Sequence, residues 1–115
     1  MVALAELYRE WDYTDQTIIL CTLATTTVQP PLGDVWLELG LAYDDKGIFD
    51  KAIDAYTHAL DGGATKALFS RGQVYFRTKK YGDARRDLEQ YLQLPDIPDF
   101  FKAQASRMLL EIGRR

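Results

Sequence analysis

The chain is 115 residues long, 47% hydrophobic and 27% charged, which suits one ordinary globular domain and excludes a disordered or fibrous chain. Its formal net charge of −3 argues against nucleic-acid binding, because nucleic-acid binders depend on a basic surface. One cysteine and one histidine supply neither the ligands of a zinc site nor a second thiol for a disulfide.

The opening part of the chain, before Gly33, is predicted to form two helices. Apolar residues from Leu4 to Trp11 recur at helical spacing in the first, and Leu20 and Ala24 share a face of the second. Residues 17–28 are rich in β-branched side chains, which favour a strand, so neighbouring helices must override that propensity. This stretch is too short to span a bilayer, and the opening lacks a signal peptide's basic region and apolar core. We therefore expect a cytoplasmic protein without membrane insertion.

Residues 33–60 and 65–92 repeat one another at a constant spacing, which we call the repeat period. Each block has the apolar spacing of two amphipathic helices, separated by a turn, so each is predicted to be a helical hairpin. The pairs that stand one repeat period apart are Trp36 and Leu68, Gly40 and Gly72, Tyr43 and Tyr75, Phe49 and Tyr81, Ala52 and Ala84, and Tyr56 and Leu88.

Small residues in these blocks predict where the two helices of a hairpin approach closely. Gly47 can take the left-handed conformation that ends a helix. Gly40 and Gly72 admit the paired helix, and a larger side chain at Ala52 or Ala84 would clash with it.

This pattern resembles the tetratricopeptide repeat family, whose repeats carry Trp, Leu-Gly, Tyr, Ala, Phe, Ala and Pro at fixed offsets. Residues 65–96 match less closely than residues 33–64, since Arg71 replaces the leucine and Tyr91 an alanine. The resemblance implies an all-α fold in which about seven helices stack as hairpins into a right-handed superhelix. The residues that carry it in the first block are Trp36, Leu39, Gly40, Tyr43, Ala52, Tyr56 and Ala59.

We predict one domain, residues 1–115, with a degenerate repeat at 1–32, clear repeats at 33–64 and 65–96, and a terminal helix within 97–115. That helix, from Asp99 to Ile112, has two apolar arcs. One arc holds Phe101, Ala105, Met108, Leu109 and Ile112, and the other Phe100, Ala103 and Leu110. The second arc predicts either deep packing of the helix or a surface that covers another copy or a further repeat.

No nucleophile with a base, paired carboxylates in a cleft or metal constellation is visible, so we predict no enzyme activity and no cofactor. The resemblance implies that first helices line a concave groove that binds a peptide or helix of a partner protein. Leu37 and Leu41 stand where family members that grip acidic tails carry lysine and asparagine, so an apolar segment is the expected ligand. The predicted groove residues are Leu37, Leu41, Asp44, Lys66, Phe69, Gln73, Phe76, Arg77 and Phe101.

Charge is distributed unevenly along the chain. Residues 1–65 carry 11 acidic and 3 basic residues, a net charge of −8, whereas residues 66–115 carry 6 acidic and 11 basic, a net of +5. Three hypotheses follow: an interaction scaffold or adaptor, a subunit that self-assembles through unlike ends, and a secretion-type chaperone. The chain's own first helix could also cover Phe69 and Phe76, which would make them core residues.

Overall fold

The computed structural model describes residues 14–27 and 33–114, and these residues form six α-helices and no strand. The predicted all-α class is therefore confirmed, with six helices where about seven were expected. The helix predicted between Leu4 and Trp11 lies outside the described residues. The six helices are α1 (Thr14–Thr27), α2 (Gly33–Asp45), α3 (Phe49–Asp61), α4 (Ala67–Arg77), α5 (Tyr81–Leu92) and α6 (Asp99–Gly113).

Residues 17–27 of the β-branched stretch are helical, as predicted, and packing explains why. Thr17 and Cys21, one helical turn apart, are both buried, and α1 packs against α2. Cys21 joins Val35, Leu39 and Ala55 in one apolar cluster. Burial of this face against α2 and α3 outweighs the weak local preference for a strand.

The chain divides into two compact units, residues 1–67 and 68–115. In the first unit, α2 packs on both α1 and α3. The second unit begins at the second residue of α4 and holds the rest of that helix with α5 and α6, and α5 packs on α6. The assignment of all residues to one domain stays a prediction.

The hairpin turns of the two repeats have the same backbone geometry. The Ile48 N–H donates to the Tyr43 carbonyl at 2.9 Å, and one repeat period later the Lys80 N–H donates to the Tyr75 carbonyl at 2.8 Å. Gly47 has φ +75°, the left-handed conformation expected at the end of a helix. The turn predicted from the sequence is therefore present in both repeats.

Glycine permits close helix contact at equivalent positions of the two hairpins. A Cβ added at Gly40 would lie 2.5 Å from the Tyr56 ring, and one added at Gly72 would lie 3.0 Å from Leu88 Cγ. Since Tyr56 and Leu88 were matched by the repeat alignment, the predicted helix pairing is confirmed on both partners. The two alanines predicted at close contacts, Ala52 and Ala84, are also fully buried.

Candidate functional site

Four aromatic side chains form a continuous cluster within the second unit. The Phe69 ring centroid lies 5.3 Å from that of Tyr91 and 5.2 Å from that of Phe101, and Phe101 lies 5.3 Å from Phe100. Three helices contribute: Phe69 comes from α4, Tyr91 from α5, and the other two from α6. The tilted and edge-to-face arrangements are those that aromatic rings prefer. We call these four residues the aromatic cluster.

The aromatic cluster runs from the protein interior to its surface. Tyr91 is buried and Phe69 half-buried, whereas Phe101 is 40% exposed and Phe100 66% exposed. Burial raises the pKa of the Tyr91 hydroxyl. A large apolar side chain from a partner would therefore bury Phe100 and Phe101 against the rings of Phe69 and Tyr91, which are already packed within the protein.

Two of the cluster residues were predicted for the groove and two were not. Phe69 and Phe101 stand one repeat period apart, at the same repeat offset, and the structure brings their rings together. In the sequence, Tyr91 is marked only by its departure from the family's alanine. Its equivalent in the first repeat, Ala59, is fully buried, and the larger ring at this offset supports Phe69.

The other predicted residues of the second unit lie on α4. Phe76 is half-buried and its ring lies 5.8 Å from that of Tyr81, at the start of α5. Gln73 is half-buried, and Arg77 is exposed at the end of the helix. Phe76 thus belongs to a second ring pair, and the groove assignment of these three residues stays a prediction.

The remaining predicted residues lie in the first unit. Leu37 and Leu41 are half-buried on α2, one turn apart, and Lys66 is exposed just before α4. Asp44 is half-buried, and its Oδ2 accepts a hydrogen bond of 3.3 Å from the Tyr56 hydroxyl. Asp44 therefore helps to hold its own hairpin, whatever else it contacts.

A buried ion pair in the second unit was not predicted. Arg71 donates from Nε to Asp87 Oδ2 at 2.7 Å and from Nη2 to Oδ1 at 2.8 Å, while the Asp87 side chain is 2% exposed. These hydrogen bonds raise the pKa of Arg71. The pair joins α4 to α5, so its role is to fix that hairpin.

The chain's single cysteine and histidine have structural surroundings. Burial, with a smaller effect from the Glu38 carboxylate, raises the pKa of the Cys21 thiol to about 11, so the thiol is protonated at neutral pH and a poor nucleophile. His58 stacks on Trp36 with ring centroids 4.3 Å apart. Within residues 14–27 and 33–114, no group of three or more metal-ligating side chains could hold an ion.

None of the described helices is long and apolar enough to cross a membrane. A comparison with curated proteins gives no match. The family model described as "Tetratricopeptide repeat" matches residues 33–61 and 65–96, more than half of the chain. These ranges coincide with the two hairpins that share a turn, a glycine contact and a constant repeat period. The chain therefore belongs to the tetratricopeptide repeat family.

Proposed function

We propose that the chain is an interaction scaffold or adaptor that binds a peptide or an amphipathic helix of a partner protein. Tetratricopeptide repeats generally mediate protein–protein interaction and are typically not enzymes. The observation that carries the proposal is the contact between Phe69 and Phe101, at equal repeat offsets, with Phe101 partly open to solvent. Aromatic anchors of this kind dominate the binding energy of many interfaces.

The chemistry around the aromatic cluster favours an apolar ligand residue. Phe100 and Phe101, the exposed members of the cluster, are both apolar. A partner residue such as Leu, Phe or Trp would add to the rings by apolar burial, at about 25 cal/mol per Å² removed from water. The other predicted residues of the second unit, Gln73, Phe76 and Arg77, are part of this proposal, and the predicted residues of the first unit stay predictions by themselves.

Peptides selected from a random display library against the chain would test this function. We expect the selected peptides to contain a large apolar anchor, and Phe101→Ala to weaken their binding about 10- to 100-fold in fluorescence anisotropy. Ile48→Ala is the control, because Ile48 is 37% exposed, close to the 40% of Phe101, and lies outside the cluster. Equal losses for the two variants, or a loss for Ile48→Ala alone, would contradict the assignment.

Two further expectations from the sequence stay proposals. A cytoplasmic location remains a prediction, and a secretion-type chaperone remains an alternative function. The chaperone alternative requires that the selected peptides resemble aggregation-prone strands, with high β-propensity and low charge. The scaffold proposal requires instead that they have the apolar spacing of a helix or a short extended motif.

A further inference from the structure

Four exposed basic side chains lie at the turn that joins α4 to α5. Lys79 and Lys80 belong to the turn itself, and Arg85 and Arg86 lie in the second turn of α5. Arg86 follows Lys80 by six residues, which is about 9 Å along a helix that rises 1.5 Å per residue. The screening length is about 10 Å in 0.1 M salt, so one ligand would interact with all four charges. We call these four residues the basic turn surface.

Acidic side chains neutralise part of the charge of the basic turn surface. Asp83 Oδ1 lies 3.5 Å from Arg86 Nη1, and Glu89 is exposed one turn beyond Arg85. Asp87 belongs to the buried ion pair that joins α4 to α5, and its side chain is 2% exposed. Four basic side chains against Asp83 and Glu89 leave this end of the hairpin with a net charge of +2.

The equivalent turn of the first repeat has the opposite sign of charge. Residues 77–86 include five basic residues and one acidic residue, a net charge of +4, whereas residues 45–54, one repeat period earlier, include two basic and three acidic residues, a net charge of −1. The offsets of Lys80 and Arg85 hold isoleucine in the first repeat. Since both turns share the same backbone hydrogen bond, the hairpin does not need the basic residues in order to form.

Lys79 occupies a backbone position that glycine would occupy with less strain. Its φ is +65°, and the equivalent residue of the first repeat is Gly47, with φ +75°. Side chains other than glycine are disfavoured in this left-handed region, and strained residues of this kind are concentrated at functional sites. The lysine adds a positive charge to the turn at a cost in stability, which indicates a role in binding.

We propose that the basic turn surface binds an acidic segment of a partner protein, rich in Asp and Glu. Lysine and arginine donate charge-assisted hydrogen bonds to carboxylates. A nucleic acid is a poorer ligand, because four cations interrupted by Asp83 and Glu89 do not form the continuous basic stripe that a phosphate backbone requires. The surface lies at the opposite end of the α4–α5 hairpin from Phe69 and Tyr91, so this contact goes beyond the function proposed above and does not depend on it.

Fluorescence anisotropy of a fluorescein-labelled hexaglutamate peptide, titrated with the full chain, tests the proposal. We expect binding at about 50 mM salt that is lost at about 500 mM, as the screening length falls from roughly 14 to 4 Å. Lys80→Gln with Arg85→Gln should weaken binding about 5- to 20-fold, since each exposed ion pair contributes a factor of a few. Lys102→Gln with Arg107→Gln is the matched control, because it removes one exposed lysine and one exposed arginine from α6, and it should change binding less than about twofold.

Lys79→Gly separates binding from stability. Glycine relieves the backbone strain and removes the charge, so this variant should bind the peptide about two- to fivefold more weakly although its hairpin is more stable. Unchanged binding by Lys79→Gly overturns the proposal, as does equal weakening in the matched control or no binding by the parent chain at about 50 mM salt. Tighter binding of a single-stranded oligonucleotide of about 20 nucleotides, or of vesicles that contain phosphatidylserine, also overturns it, because the ligand would then be a nucleic acid or a membrane surface.

Discussion

The two matched repeats use different chemistry at the same contact. In the first repeat, Leu39 and Ala55 belong to one buried apolar cluster. In the second, the equivalent positions hold Arg71 and Asp87, joined by two hydrogen bonds of 2.7 and 2.8 Å. The hairpin backbone is the same in both, so helix pairing at this offset tolerates either an apolar pair or an ion pair, provided that both members change together.

The apolar contact of the first repeat and the ion pair of the second differ in how they affect stability and helix pairing. An apolar pair stabilises in proportion to the area it buries and tolerates other apolar neighbours. A buried ion pair contributes little net stability, because removing both charges from water costs about as much as their attraction returns. We expect it to make the pairing of α4 with α5 specific, since Asp87 is nearly inaccessible and its carboxylate requires a cation on the facing helix.

The largest expected effect comes from removing one member of the ion pair. Arg71→Leu should destabilise the protein by about 3–5 kcal/mol, because the Asp87 carboxylate would stay buried without its partner. The double variant Arg71→Leu, Asp87→Ala copies the pair of the first repeat and should be as stable as the parent within about 1 kcal/mol, or more stable. Urea denaturation followed by far-UV circular dichroism measures both. A double variant as unstable as the single one would show that the two contacts are not interchangeable.

A smaller effect is expected at the glycines that face Tyr56 and Leu88. Gly40→Ala would place its Cβ 2.5 Å from the ring of Tyr56, which is fully buried and hydrogen-bonded to Asp44. Gly72→Ala would meet the branched end of Leu88 at 3.0 Å, and a leucine can change rotamer. We expect thermal unfolding to give losses of about 2–3 kcal/mol for the first variant and about 1 kcal/mol for the second.

Gly82→Ala is the control for these two substitutions. A Cβ at Gly82, in the first turn of α5, would meet nothing within 4 Å. Alanine is the better helix former by about 1 kcal/mol, so this variant should be slightly more stable than the parent. If Gly40→Ala changes the free energy of unfolding as little as Gly82→Ala does, α2 and α3 do not approach as closely at Gly40 as the structure shows.

Sequence reasoning succeeded where local spacing determines the contact. The repeat period matched Gly40 with Gly72 and Tyr56 with Leu88, and in each hairpin the glycine meets the matched side chain of the paired helix. It did not identify the partner of Arg71, which was noted as a departure from the family pattern. Arg71 and Asp87 stand one repeat period after Leu39 and Ala55, and both positions change from an apolar to a charged residue of opposite sign. The two changes together indicate the ion pair.

The candidate site was predictable to a similar degree. Phe69 and Phe101 share a repeat offset, and that offset identified both as surface aromatics. Tyr91 and Phe100 were not predicted as their neighbours, because ring contacts among three helices depend on side-chain direction and on the packing of α6 as well as on spacing. The sequence contains one indication for Tyr91. Its large ring stands where the family pattern has alanine, and a ring at this offset predicts a contact with a side chain of a neighbouring helix.

The smallest expected effect concerns the hairpin turns, where the repeats again differ. Lys79 has φ +65° at the position equivalent to Gly47, with φ +75°, and a non-glycine residue in this left-handed region is disfavoured by about 1 kcal/mol. Lys79→Gly should therefore stabilise the second hairpin, by less than about 1 kcal/mol because glycine also gains freedom in the unfolded chain. Gly47→Lys should destabilise the first hairpin by about 1 kcal/mol, although open space surrounds this position. Lys79→Ala separates the effect of backbone strain from the effect of charge, since alanine keeps the strained non-glycine backbone and removes the charged side chain. If Lys79→Ala stabilises as much as Lys79→Gly in urea denaturation, the cost at this turn comes from the charge of lysine, and a non-glycine residue in the left-handed conformation costs nothing measurable here.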